Sequence, residues 1–233
     1  MSNPFSPRLD ILPPPQIALW PDLKQIPAGF ALYGGTALAF HLGHRESVDF
    51  DFFSIENIDP DNLLGTIPFL YGTQLLQKAA NTLEVSVERG GTVKVSFSGV
   101  PSLKSIFRPL VCPDNQLRIS SLLDLAGTKV SVIQKRSELK DYLGIAAILA
   151  DGRITLPMAL GAGRAIYGEQ FNPLISLKAL SYFDDGNVRA LPGESKALIM
   201  NAVRNVDLRH LPSLLPMDHD PCPSVAGSGP GVT

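Results

Sequence analysis

Residues 30–53 constrain the fold of this chain more than any other stretch, because two short apolar runs enclose a tight turn. The first run, FALY, ends at Gly34-Gly35, which predicts a buried strand that enters a turn. Thr36 is predicted to cap a short helix over residues 37–42. The second run, SVDFDFF, predicts another strand, so the stretch must fold as strand, turn, helix and strand.

The second strand carries two aspartates, Asp49 and Asp51, among aromatic residues. Side chains alternate along a strand, so both carboxylates point to one face, roughly 7 Å apart, while Phe50 and Phe52 point to the other. Two such carboxylates repel each other unless a cation binds to them, and hard oxygen ligands suit Mg²⁺. A solvated edge strand is the alternative interpretation, because Asp-x-Asp needs no metal there.

The glycine turn predicts a phosphate site beside these aspartates. Gly34 and Gly35 let a ligand approach the backbone closely, and the N-terminus of the following helix directs free N–H groups at an anion. Gly-Gly by itself is only a turn. In this order, however, the turn and the aspartates together predict a phosphate cradle next to a metal site.

Period-2 alternation over residues 83–97 predicts an antiparallel hairpin around a Gly-Gly loop. After Ser120 the signals become helical, with predicted helices through Lys129 and Val132 and over residues 139–150, and a further helix opened by Asn172-Pro173. Strands that precede helices indicate an α+β fold, with a small mixed sheet and a helical C-terminal part.

The predicted organisation has four parts: a Pro-rich lead-in, a sheet-containing core, a helical part and a disordered tail, at residues 1–27, 28–117, 118–211 and 212–233. The lead-in is predicted to be extended at first and to end in a short helix around residues 17–23. The formal net charge is -2 and the pI is about 6.1, so any nucleic-acid contact must come from a local patch. No apolar run approaches the roughly 20 residues that span a membrane, and the start lacks the features of a signal peptide. We therefore expect a cytoplasmic protein with two free thiols, Cys112 and Cys222.

Three stretches resemble the AbiEii family of nucleotidyltransferase-like toxins, within the DNA polymerase beta nucleotidyltransferase superfamily. They are GGTALAFHLGHRESVDFDFF, DLAGTKVSVIQKRSELKDYLGIAAIL and LKALSYFDD. The resemblance implies a small mixed sheet with helices, a turn that grips a nucleoside triphosphate, and Mg²⁺ held by two aspartates. The residues that it implies for these roles and for catalysis are Gly34, Gly35, Thr36, Asp49, Asp51, Lys129 and Asp141.

The match weakens at the third carboxylate that two-metal catalysis usually needs on a neighbouring strand. The corresponding position in this chain is Ser96, which cannot replace a carboxylate. If Glu88 and Thr92 flank the hairpin loop, Glu84 falls opposite Ser96 on the same face and is a candidate substitute; a solvated strand face is the alternative. Many relatives also carry an Asp where this chain has Gly144.

Lys129, Arg136 and Lys140 would share one side of a helix if that helix is continuous. Such a stripe is usually a solvated face. Beside a triphosphate, however, Lys129 would neutralise the charge that develops on phosphate oxygens, and the resemblance favours that role. It also points to Asp141 as an acidic residue supplied by the helical part.

His44 and Arg45 follow the first helix and are interpreted as structural or phosphate-facing residues, with His41 partly buried. Imidazole is a less suitable ligand beside hard-metal carboxylates. Asp184 and Asp185 are interpreted as helix-end and turn residues without chemistry.

The resulting hypothesis is an Mg²⁺-dependent nucleotidyltransferase that moves a nucleoside monophosphate from a nucleoside triphosphate to an RNA, tRNA or protein acceptor. The resemblance implies a toxin with an antitoxin partner. The alternative is a catalytically weakened fold kept for nucleotide or protein binding, which the missing carboxylate favours.

Overall fold

The computed structural model describes residues 5–217. Its strands are β1 Phe30–Tyr33, β2 Asp49–Ser54, β3 Gln74–Ala79, β4 Thr82–Glu88, β5 Thr92–Gly99, β6 Leu110–Val111 and β7 Arg118–Ile119. Its α-helices are α1 Pro14–Leu19, α2 Gly34–Leu42, α3 Pro60–Thr66, α4 Leu122–Val132, α5 Leu139–Asp151, α6 Leu156–Tyr167, α7 Pro173–Leu180 and α8 Gly193–Arg204. A mixed sheet with many helices in the second half confirms the predicted α+β class.

The seven strands form one sheet within the described residues, in the order β3-β4-β5-β2-β1-β7-β6. β2 is antiparallel to β1 and parallel to β5, and β1 is parallel to β7. The hairpin of β4 and β5 is antiparallel, as its alternating pattern predicts. Because β2 is paired on both sides, the interpretation of Asp-x-Asp as a solvated edge strand is wrong.

Aromatic side chains hold the central strands together on one face of the sheet. Phe50 and Phe52 of β2 and Phe97 of β5 are fully buried, and the rings of Phe52 and Phe97 stack with their centroids 5.4 Å apart. Burying one such ring contributes roughly 1.5–3 kcal/mol. This packing fixes which face of β2 is buried, and therefore turns the side chains of Asp49 and Asp51 to the other face.

Helix α2 begins at Gly34, two residues before the predicted cap. Thr36 therefore lies inside the first turn and does not cap the helix; Tyr33 occupies the cap position without a side-chain bond. Gly43 ends the helix in the left-handed conformation, with φ 60°, which glycine adopts without steric cost. The predicted start of the helix was wrong because Gly34, with its positive φ, lets the helix begin directly after the strand.

The helices predicted after Ser120 are found as α4, α5 and α7. Ser121 caps α4 by accepting a hydrogen bond from the backbone N–H of Asp124. A non-helical segment, residues 133–138, separates α4 from α5. Lys129, Arg136 and Lys140 therefore do not lie on one continuous helix, which their predicted alignment on one side required. Helices α6 and α8 were not predicted.

Over its described part the N-terminal segment packs against the core as short helices. The helix predicted around residues 17–23 is found as the end of α1 and the 3-10 turn that follows it, whereas the part predicted as extended also contains helical turns. The segment contains 3-10 turns at Leu9–Ile11 and Trp20–Gln25 on either side of α1. Leu19, Trp20 and Leu23 are buried in the main hydrophobic cluster. Three apolar side chains at helical spacing explain why this proline-rich segment folds onto the domain.

The predicted division into four parts stays a prediction, and two observations bear on its boundaries. The sheet runs to Ile119, two residues beyond the predicted end of the core at 117. In the predicted tail, the carbonyl of Pro212 lies against Gly161 of α6, and the N–H of Met217 donates to the carbonyl of Ser105. Residues 218–233 of that tail lie outside the described residues. No helix among residues 5–217 is long and apolar enough to cross a membrane.

Candidate active site

Polar side chains form two rows across the open face of the central strands. Asp51 of β2 is in register with Ser96 of β5, which is in register with Glu84 of β4. In the next row, Asp49 is in register with Lys94. The predicted position of Glu84 opposite Ser96 is confirmed.

The two aspartates lie in an environment that disfavours two negative charges. Partial burial and the neighbouring charge of Asp51 raise the pKa of Asp49. The hydroxyl of Ser96 donates a hydrogen bond to Oδ1 of Asp51, with 2.7 Å between the oxygens. Ser96 therefore orients Asp51 but adds no charge at the position where a third carboxylate would lie.

The glycine turn is in direct contact with these carboxylates. Gly34 has φ +71°, and a Cβ atom there would lie 2.5 Å from Oδ2 of Asp51. At Gly35 a Cβ atom would overlap the guanidinium of Arg45. Gly34 thus leaves space for the carboxylate of Asp51 and Gly35 leaves space for the guanidinium of Arg45, and only Gly34 has a left-handed backbone.

Replacing Gly34 by Ala tests this contact. We expect the variant to lose divalent-metal affinity at least tenfold, because the new methyl group displaces the carboxylate of Asp51, and to lose about 1 kcal/mol of stability from the left-handed backbone. Gly90→Ala is a matched control, since Gly90 has φ +70° and nothing within 4 Å of its Cβ position. Calorimetric metal titration and chemical unfolding of both variants make the comparison; equal metal affinities would show that the turn does not shape the site.

Thr36 connects the turn to β2 through its buried side chain. Its hydroxyl lies 2.7 Å from Oγ of Ser47 and also donates to the backbone carbonyl of Asp49. The side chain therefore fixes the turn against the aspartate strand. Because the hydroxyl is already hydrogen-bonded, only the backbone N–H of Thr36, near the N-terminus of α2, can serve the predicted binding of phosphate.

Basic side chains surround the two aspartates. Arg45, Lys94 and Lys140 all lie close enough to Asp49 for their charges to oppose the rise of its pKa. Burial disfavours the charged guanidinium of Arg136, but Asp141 first, and to a smaller extent Glu138 and Asp51, raise its pKa above the usual value. The sequence did not single out Lys94, although its alternation with buried valines on β5 placed it on the polar face of the hairpin; the pairing of β5 with β2 brings it beside Asp49.

Lys129 and Asp141 form the centre of a buried ion network. Asp141 has no exposed surface, and its Oδ1 and Oδ2 lie 2.7 Å from Nζ of Lys129 and 2.9 Å from Nε of Arg136. Burial pushes the pKa of Asp141 upward, but the two cations outweigh it and hold that pKa below its usual value. The structure thus brings together the two predicted residues, with the ammonium of Lys129 engaged by a carboxylate.

Gly144 lies where α5 passes closest to its neighbours. A Cβ atom there would lie 3.0 Å from Cδ2 of Leu38 and 3.3 Å from Cε of Lys129. A larger side chain at this position would therefore require the side chains of Leu38 and Lys129 to shift, so the close packing against α2 and α4 favours glycine here.

The histidines near the site are poor candidates for chemistry. Burial, with the charges of Arg45 and Lys129, lowers the pKa of His44 to about 4, and both of its ring nitrogens are buried without a protein partner among the described residues. His41 is partly buried, as predicted, with Nε2 2.9 Å from the carbonyl of Ser120. Burial also raises the pKa of the Cys112 thiol to about 12, which excludes a thiolate nucleophile there. Asp184 and Asp185 are exposed.

The carboxylates of Asp49 and Asp51 suit one hard cation that takes only part of its coordination shell from the protein. Within residues 5–217 no three His, Cys, Asp or Glu side chains are grouped to hold a metal. Asp49 and Asp51 nevertheless share one face, where burial and then the charge of Asp51 raise the pKa of Asp49, and a bound divalent cation would favour the charged form of both carboxylates. Mg²⁺ commonly takes one or two carboxylates and completes its shell with water and substrate phosphates, so two aspartates suffice.

A sequence comparison decides the family. The model of the family described as "Nucleotidyl transferase AbiEii toxin, Type IV TA system" matches residues 23–204. The chain belongs to this family. An AbiEii protein is a nucleotidyltransferase, and the family places it on the toxin side of a toxin–antitoxin system. No curated protein matches the chain.

Two solved structures are similar to the chain at low sequence identity. MenT4, the nucleotidyltransferase toxin Rv2826c from Mycobacterium tuberculosis H37Rv, is 15% identical, with a TM-score of 0.57 and 83% of each chain covered. A putative nucleotidyltransferase from H. pylori is 17% identical, with a TM-score of 0.49 and coverage of 81% of this AbiEii protein and 92% of the other chain. The likeness to MenT4 confirms the nucleotidyltransferase fold.

Proposed function

We propose that this AbiEii protein transfers a nucleoside monophosphate from a nucleoside triphosphate to a hydroxyl group of an RNA, tRNA or protein acceptor, in a reaction that depends on Mg²⁺. The contact between the Gly34 turn and the carboxylate of Asp51 carries the proposal. It brings the N-terminus of a helix, which attracts phosphate, directly beside two carboxylates that attract a divalent cation.

In this proposal, one group of residues binds the cation and another binds the phosphates. Asp49 and Asp51 would hold the cation, which supplies charge neutralisation for the leaving pyrophosphate. The backbone of Gly34, Gly35 and Thr36 binds phosphate oxygens, and Arg45 adds a positive charge at that turn. The acceptor oxygen bonds to the α-phosphorus, the bond to pyrophosphate breaks, and the proton of the acceptor passes to water.

Lys129 and Asp141 act from the helical part in this proposal. The side chain of Lys129 is 10% exposed, and its ammonium is held by Asp141, close to the basic residues that surround Asp49 and Asp51. From there it adds to the positive potential that favours phosphate, together with Arg45 and Arg136, whose charges also act on Lys129. Membership of a toxin–antitoxin family implies an antitoxin counterpart, and we propose a cytoplasmic setting for the pair.

A transfer assay tests the proposal. The purified protein is incubated with Mg²⁺, total RNA and each nucleoside triphosphate, labelled either at the α- or at the γ-phosphate. Label from the α-position should appear on an acceptor, whereas label from the γ-position should not, because pyrophosphate leaves. Absence of α-label on RNA and on protein, with all four nucleotides, would contradict transferase activity.

A nucleotide-binding module without transfer is the second candidate function. Ser96, in place of a carboxylate, favours it, because the site then lacks one negative ligand for a second cation. This candidate predicts that the protein binds nucleoside triphosphate with Mg²⁺ in equilibrium dialysis and transfers nothing. Replacing Ser96 by Asp should then increase or create transfer.

A further inference from the structure

Glu84 and Lys94 form a diagonal ion pair across β4 and β5, next to the two aspartates. Nζ of Lys94 lies 3.0 Å from Oε2 of Glu84. In register, however, Lys94 stands beside Asp49, and Glu84 stands beside Ser96. The ammonium therefore leans away from its neighbour on β2 and toward the carboxylate on β4.

Lys94 has carboxylates on both sides within reach of its flexible stem. Adjacent strands lie roughly 4.8 Å apart, so the ammonium can reach Asp49 on one side as readily as Glu84 on the other. The pKa of Lys94 is raised first by its hydrogen bond to Glu84 and then also by the charges of Asp49 and Asp51. An ammonium at Asp49 would occupy the place of a divalent cation.

Glu84 itself is badly placed to bind that cation. It lies two strands from β2, which puts its Cα roughly 9–10 Å from that of Asp51. The hydroxyl of Ser96 stands between them and donates to Asp51, and among the described residues Glu84 belongs to no metal-binding group of three. The carboxylate of Glu84 contacts Lys94 instead.

We propose that Glu84 is a positioning residue that holds the ammonium of Lys94 away from Asp49 and Asp51, and so keeps their face open to a divalent cation. The proposal rests on the metal site of the proposed function. It gives Glu84 a role that is neither a third metal ligand nor a solvated strand face.

Metal titration of the nucleotide-free protein separates these roles. We expect Glu84→Gln to lower Mn²⁺ affinity about tenfold, because the released ammonium competes for the aspartates. Adding Lys94→Met to that variant should restore the affinity to within about twofold of the original protein, since the competitor is gone. Glu88→Gln is the matched control, because Glu88 is an exposed residue of the same strand and face, with no ion pair in the described part of the chain.

Each outcome of the titration either supports or overturns the proposed role of Glu84. Loss in Glu84→Gln that is rescued by Lys94→Met supports the proposal. Loss without rescue would make Glu84 a metal ligand and overturn it, and unchanged affinity in Glu84→Gln would overturn it as well.

A measurement without metal tests the role of Glu84 independently of the proposed metal site. A double-mutant cycle of Lys94→Met and Asp49→Asn, read as shifts of the unfolding midpoint, gives the coupling between these two side chains. Because the charges of Lys94 and Asp49 already act on each other with Glu84 present, we expect some coupling in the original protein and a clearly larger coupling in the Glu84→Gln background. If the original protein binds no metal, the proposed metal site fails, and this cycle still decides whether Glu84 holds Lys94; equal coupling in both backgrounds overturns the inference.

Discussion

Replacing Asp49 by Asn should lower the affinity for Mg²⁺ or Mn²⁺ by about 100-fold, because one of two charged ligands is lost while the shape is kept. Transfer should fall with it. Asp184→Asn serves as the control, since Asp184 also belongs to an acidic pair but is exposed and outside the site. Calorimetric titration without nucleotide gives the result directly, and equal affinities in the two variants would remove the argument for the metal site.

The same variant should be more stable than the original protein in metal-free buffer. The pKa of Asp49 is raised in the folded state by burial and by Asp51, so folding disfavours its charged form. A raised carboxyl pKa contributes stability only at low pH, and this contribution is lost as the pH rises through the folded pKa. The gain from Asp49→Asn should therefore be absent near pH 3 and should grow toward pH 7, as measured by chemical unfolding.

The sheet face of the site could be predicted from the sequence because it depends on local patterns. Alternation fixed which side chains of β4 and β5 point outward, and the Gly-Gly loop fixed their register, so the alignment of Glu84 with Ser96 followed. The pairing of Asp51 with Ser96 needed one further fact, the parallel pairing of β2 with β5. The superfamily resemblance supplied only that the two strands are neighbours; their parallel direction is seen in the structure and is not contained in the periodicity.

The helical side of the site could not be predicted in the same way. Spacing along the chain suggested one stripe of Lys129, Arg136 and Lys140, but the break at residues 133–138 places them on different segments. The ion pair of Lys129 with Asp141 joins two helices that pack side by side, and sequence periodicity carries no information on which side chains meet there. The ammonium predicted to meet phosphate is therefore already held by a carboxylate.

Removing Lys129 should have the largest effect on stability of any substitution considered. Asp141 is fully buried and depends on Lys129 and Arg136 for its charge, so Lys129→Met should cost about 3 kcal/mol in unfolding experiments, by leaving a buried carboxylate with one cation. Lys140→Met is the matched control, because Lys140 is half exposed and pairs with Glu138 on the surface. We expect that change to cost less than about 1 kcal/mol.

A second substitution separates the structural role of Lys129 from a catalytic one. Adding Asp141→Leu to Lys129→Met replaces a buried ion pair by apolar side chains and should restore most of the lost stability. Transfer should not return if the ammonium stabilises phosphate charge, because one such positioned contact is typically worth about 10²–10³ in rate. If the stable double variant transfers at the original rate, Lys129 serves the fold alone, and the positive charge at the phosphates must come from Arg45, Arg136 or Lys140.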